Sequence, residues 1–115
     1  MTDSAAPPPG RRVALEHALA RLAPRLPDFE REAILDRALA SPGLRRAVPE
    51  TAAWLALVAF ARHVFTEYDA LLDEGYDRDS ARHFVLDDLN DALAEWGVRR
   101  RLSEEPEASE AEAEA

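Results

Sequence analysis

The run Ala52 to Ala61, read as AAWLALVAFA, holds no polar side chain and limits the fold more than any other stretch. It sits in a span from Pro49 to Glu74 that contains no glycine and no proline after its first residue. The sequence therefore predicts one helix over 49–74, about 39 Å long at the usual rise. Trp54, Leu55, Leu57, Val58 and Phe60 point to several sides of that helix. A helix apolar all round has to be enclosed by other helices or by an interface between copies. The expected fold is one in which everything else packs around this central post.

The remaining elements are helical too. Val13, Leu15, Ala18, Leu19 and Leu22 recur at helical spacing over 11–22, and Pro24 and Pro27 end that pattern. A second helix is predicted over 29–40, with Asp28 as N-cap and Phe29, Ile34, Leu35, Ala38 and Leu39 on its apolar side. Ser41-Pro42-Gly43 then breaks the chain; a single extra turn is expected over Leu44 to Val48, and Ser41 before Pro42 suits an N-cap and first helical position. The last helix spans about Arg78 to Trp96 behind an Asp77 N-cap. Val85, Leu89, Leu93 and Trp96, with Ala81 and Ala92, form its apolar stripe, and Gly97 stops it. The link Gly75-Tyr76-Asp77 is so short that the last two helices must form an antiparallel hairpin. No stretch alternates convincingly as a strand. The fold class expected is all-α: a small orthogonal or antiparallel bundle of about four helices, its long central helix hairpinned to the last one. Residues 1–10 are expected to be a disordered arm, 11–102 the helical domain and 103–115 a disordered acidic tail.

Charge divides along the chain. The whole sequence carries −9, and six glutamates lie in the tail. Residues 11–46 hold eight arginines against five acids, whereas 67–91 hold nine acids against two arginines. Such a dipolar field steers a partner or favours head-to-tail association. The absence of cysteine excludes disulfides and thiolate chemistry. The four glycines stand at breaks, so no glycine-rich phosphate loop exists. The opening residues have no charged-then-apolar signal pattern, and the apolar run of ten is well below the ~20 residues a span requires. A cytoplasmic location away from membranes is expected.

Chemistry-bearing residues concentrate in Arg62-His63-Val64-Phe65-Thr66-Glu67-Tyr68-Asp69. On one continuous helix Arg62, Thr66, Asp69 and Asp73 would share a face. Across the hairpin, Asp69 or Asp73 would then meet Arg78 or Arg82 in an arginine–carboxylate clasp. Arg62, His63, Thr66, Tyr68, Asp69, Arg78 and Arg82 form the candidate binding seam. Helical phasing leaves Phe65, Tyr68 and Leu72 toward the core. His83 and Asp87, one turn apart, could join His63 around a divalent metal, but no zinc-type spacing such as His-Glu-x-x-His is present. No catalytic residue, metal ligand or cofactor is assigned. Arg99-Arg100-Arg101 is a separate basic cluster that suits phosphate.

These residues resemble domain-of-unknown-function family 2293, a family of small helical proteins of alphaproteobacteria with fungal members. The likeness rests on Ser41-Pro42-Gly43-Leu44, Pro49 through Trp54, and Arg62-His63-x-x-Thr66-x-Tyr68-Asp69-x-Leu71-Leu72. Gly75-Tyr76-Asp77-Arg78-Asp79-x-Ala81-Arg82 and Leu93-x-x-Trp96-Gly97 complete it, over roughly residues 28–100. The resemblance implies a helical fold and a signature, and no established activity.

Three functions compete on this sequence. The first is a non-enzymatic protein-interaction module, with an unknown protein or a second copy of the chain as partner, motivated by the apolar helix and the charge dipole. The second is a nucleic-acid-associated protein using Arg11, Arg12, Arg45, Arg46 and Arg99 to Arg101; the net −3 outside the tail weighs against it. The third is a small metal-binding protein or enzyme centred on His63, Asp69 and His83. The expectation is the first, with the enzyme reading disfavoured.

Overall fold

The computed structural model describes residues 10–103; most of the expected arm and tail, 1–9 and 104–115, lies outside the described residues. The described chain is all-helical, as expected: α1 (Gly10–Leu22), α2 (Asp28–Ala40), a 3₁₀ turn (Pro42–Leu44), α3 (Pro49–Phe65), α4 (Tyr68–Asp73) and α5 (Arg78–Glu95). The helix predicted over 49–74 is thus two helices, α3 and α4, broken at Thr66-Glu67. Asp28 is also corrected. It is the first residue of α2 rather than its cap, and its carboxylate pairs with Arg31 at 2.7 Å.

α3 is the central post. Every residue from Ala52 to Arg62 is buried, and α1, α2 and α5 all pack on it. Leu15 and Leu19 of α1, Ile34 and Leu35 of α2, and Leu89 and Leu93 of α5 close around Leu57 and Val58 in one core. The alanines of α3 let these neighbours approach closely. Two large residues of the stripes predicted for α1 and α2 face solvent instead: Phe29 is 80% exposed and Val13 is 48% exposed.

α5 belongs to two cores. Its C-terminal half joins the main one. Its N-terminal half supplies Ala81 and Val85 to a small satellite core with Tyr68, against which Leu71 and Leu72 pack. Both glycines with positive φ end helices in the same way. At Gly75 the amide of Tyr76 returns to Leu71 O (3.1 Å), and at Gly97 the amide of Val98 returns to Leu93 O (3.0 Å). That is the helix-ending pattern in which a left-handed residue turns the chain back. Gly97 has a second constraint, because a Cβ there would meet the Pro24 ring at 3.0 Å. Asp77 caps α5 as expected, accepting the Ser80 amide at 2.7 Å. That hydrogen bond holds its carboxyl below the usual carboxylate range.

Arginine and asparagine side chains complete the frame. Arg11 donates to the carbonyls of Ala47 (2.8 Å) and Leu44 (3.0 Å), pinning the turn before α3 to α1. Arg25 donates to Ala94 O and Glu95 O at the C-terminal end of α5, where a cation is favoured by the helix dipole. Asn90, 3% exposed, donates to Leu102 O (3.1 Å) and accepts from Leu102 N (2.9 Å). This amide acts like a strand partner and straps the segment after Gly97 along α5. Asn90→Ala leaves both backbone groups of Leu102 without these partners. We expect it to lower the unfolding free energy by about 1–3 kcal/mol, measured by urea denaturation, with faster amide exchange at Leu102.

Candidate functional site

The motif Arg62–Asp69 forms the joint between α3 and α4. Thr66 is extended (φ −135°, ψ 174°), so both helices leave orphan backbone groups beside it. Its hydroxyl serves both. Oγ1 donates to Arg62 O at the end of α3 and accepts from Tyr68 N, at 3.2 Å, at the start of α4. Around this stitch the side chains lock together. His63 Nδ1 and Asp69 Oδ1 are 2.6 Å apart. The His63 ring meets the Tyr68 ring edge-on at 5.3 Å, and the Arg62 guanidinium lies 5.7 Å from the centre of the Tyr68 ring. Tyr68, 1% exposed, is the centre of the satellite core.

The structure therefore brings Arg62, His63, Thr66, Tyr68 and Asp69 together, but in another relation than a continuous helix would give. The break at Thr66 rotates Asp69 off the face of Arg62 and onto His63. Asp73 and Arg78 are exposed and form no ion pair within the described residues, so that arm of the anticipated clasp is absent. Arg82 is half-buried on α5. Phe65, expected in the core, is 45% exposed; it turns instead toward α5, meeting Trp96 edge-on at 5.2 Å. The nucleophile-type group of the motif, Thr66 Oγ1, is committed on both sides to backbone. Among the described residues no three His, Asp or Glu side chains come together to hold a metal, so His63, His83 and Asp87 do not form the trio considered above.

The arginines read as a phosphate surface are partly occupied. Arg11 holds backbone carbonyls, and Arg12 pairs with Glu16, Glu32 and Asp36. Arg100 stacks over Trp54 at 4.2 Å. Arg45, Arg46, Arg99 and Arg101 are exposed.

A surface that sequence reasoning did not single out lies on the outer side of the α4–α5 hairpin. Tyr76, in the link, and Phe84, on α5, meet edge-to-face at 5.4 Å and 76°. Both are open to solvent, at 42% and 60%. They wall a crevice of about 270 Å³ that Leu71 and Val85 also line, together with the carboxylates of Glu67 and Asp88. A second crevice, lined by His83, Leu86 and Asp87, lies against Phe84 as well. The available signal was Phe84 itself. It falls outside the Ala81/Val85/Leu89/Leu93/Trp96 stripe, which places a large aromatic residue on the polar side of α5.

These features define a small all-helical domain, built on a buried central helix and jointed at an Arg-His-x-x-Thr-x-Tyr-Asp signature. The chain belongs to the family described as "Uncharacterized conserved protein (DUF2293)", which matches residues 18–97, from the middle of α1 to the glycine that ends α5. No curated protein and no solved structure matches the chain. No helix is long and apolar enough to cross a membrane among the described residues.

Proposed function

We propose that the chain is a non-enzymatic protein-interaction module that docks its partner on the outer face of the α4–α5 hairpin. The observation that carries this reading is the exposed Tyr76–Phe84 pair over an apolar floor. Water-exposed aromatic side chains arranged as a pair beside a crevice are the kind of anchor that dominates interface energetics. The joint has an architectural role in this reading: it sets the angle of α4, and with it the position of Leu71 and Tyr76 relative to α5. The committed hydroxyl of Thr66 supports a non-enzymatic role for the signature.

The test is comparative capture with the wild-type chain and the Tyr76→Ala/Phe84→Ala variant as baits, followed by light scattering of the reconstituted complex. Both positions are exposed, so the variant is expected to keep the helical spectrum and melting behaviour of the wild type. A protein held by the wild type and lost by the variant is the expected outcome. Equal retention by both baits would remove the hairpin face from consideration. Self-association through this face would show as a wild-type dimer that the variant abolishes.

A further inference from the structure

Resting on the docking-face reading, we propose that the crevice between Tyr76 and Phe84 receives a cationic side chain, arginine above all, from a basic segment of a partner protein. The two rings stand at 76° and make two walls of a corner. The faces of aromatic rings carry negative potential and attract a cation placed within about 6 Å of the ring centre. Glu67 enters the lining from the start of α4 and Asp88 from α5, one turn beyond Phe84. Among the described residues that line the crevice, two carry carboxylates and none a positive charge. With Leu71 and Val85 as floor, the site pairs an apolar bed for a methylene stem with rings and acids for its charged end, which is how long cationic side chains divide themselves.

Size and surroundings narrow the occupant. At about 270 Å³ and open to solvent, the crevice has room for one long side chain. The α4–α5 segment that carries the crevice is strongly acidic as a whole, with nine acids against two arginines over 67–91, a field that draws in basic chains. Guanidinium is favoured over ammonium because its plane stacks on a ring while its fork reaches a carboxylate. Among the described residues the chain already sets arginine over aromatic rings, Arg100 on Trp54 at 4.2 Å and Arg62 near Tyr68 at 5.7 Å. A second copy of the chain is a poorer occupant. Apart from Arg78, its exposed arginines, such as Arg45 and Arg46, lie outside the hairpin, so a contact through them would be head-to-tail and would close only as a ring or run on as a filament.

The test is a ¹⁵N NMR titration of the full chain with a short acetylated, amidated peptide of alternating arginine and glycine. The matched peptide has citrulline, which is neutral and nearly isosteric, in place of arginine. The expected result is salt-sensitive shifts at Leu71, Tyr76, Phe84 and Val85 with the arginine peptide, and affinity at least about tenfold lower with citrulline. Phe84→Ala, and separately Glu67→Gln/Asp88→Asn, should each weaken arginine-peptide binding by about tenfold, the effect of losing one anchor. Binding of both peptides in the crevice with equal affinity would overturn the cation proposal and leave the docking face standing. Shifts spread over the acidic surface and indifferent to Phe84→Ala would overturn it as well, as would no shift at the crevice. The docking face itself is then judged by the capture experiment, which does not depend on the charge of the partner.

Discussion

Tyr68→Ala is expected to lower the unfolding free energy by about 3–5 kcal/mol. Tyr68 is 1% exposed and is the largest member of a satellite core whose other buried members, among the described residues, are Ala81 and Val85. So small a cluster has no second large side chain to collapse into the space, and Leu71 and Leu72, at the edge of that core, would lose their main support. The ring also backs both His63 and Arg62 at the joint, so its loss loosens α4 from α3 and from α5 together. Against the 5–15 kcal/mol typical of a whole domain, that is a large share, and the melting temperature should fall by more than about 10 °C. Tyr76→Ala is the control. It removes the same kind of side chain from a 42% exposed position, and its effect should stay within about 0.5 kcal/mol. Thermal and urea denaturation of the two variants side by side checks the pair.

Leu57→Ala should cost about 2–5 kcal/mol. Leu57 has no exposed surface and sits in the middle of α3, where helices from three sides converge. Dense packing around it leaves little room to relax, so the cavity persists and its walls lose contacts outright. Val64, two turns further along the same helix, is 57% exposed; Val64→Ala should change stability by no more than about 0.5 kcal/mol. The contrast separates the part of α3 enclosed by the bundle from its projecting end. Comparable losses at both positions would mean that α3 is not the enclosed post described above.

Much of the frame was legible because it rests on local signals. The unbroken apolar run at 52–61 called for an enclosed helix, and α3 is enclosed. Gly75, Asp77 and Gly97 marked the ends of helices through backbone conformations and a capping carboxylate that need no tertiary context. The break at Thr66 has no glycine or proline to mark it, so the helical period runs through it without interruption. A signal did exist: Thr66-x-x-Asp69 has the spacing of a capping box, which marks a helix start even inside an apparently continuous helix. Carrying the phase across the break put Asp69 and Asp73 on the face of Arg62 and predicted partners for them on α5, where one residue of difference redirects a side chain by about 100°. Asn90, Arg11 and Arg25 were missed for another reason. Their partners are backbone groups distant in sequence, and nothing in the local pattern distinguishes a strapping asparagine from a surface one.

The site was legible only in part. The signature drew attention to itself because it gathers polar groups into an apolar region, and those groups do converge. What they hold together is the corner between two helices. The exposed aromatic corner on the hairpin is built by residues that periodicity alone treats as ordinary: Tyr76 in a turn, Phe84 off the apolar stripe, and two carboxylates among many. Its character emerges from their juxtaposition.

Binding, as proposed above, falls to the neighbouring face, and the signature residues form the joint of the fold. Thr66→Val tests it most directly, since valine keeps the shape and β-branching of threonine and removes only the hydroxyl that stitches α3 to α4. Urea denaturation should show a loss of about 1–3 kcal/mol, the cost of leaving the Tyr68 amide and the Arg62 carbonyl without that partner. A Thr66→Val chain as stable as the wild type would contradict the joint.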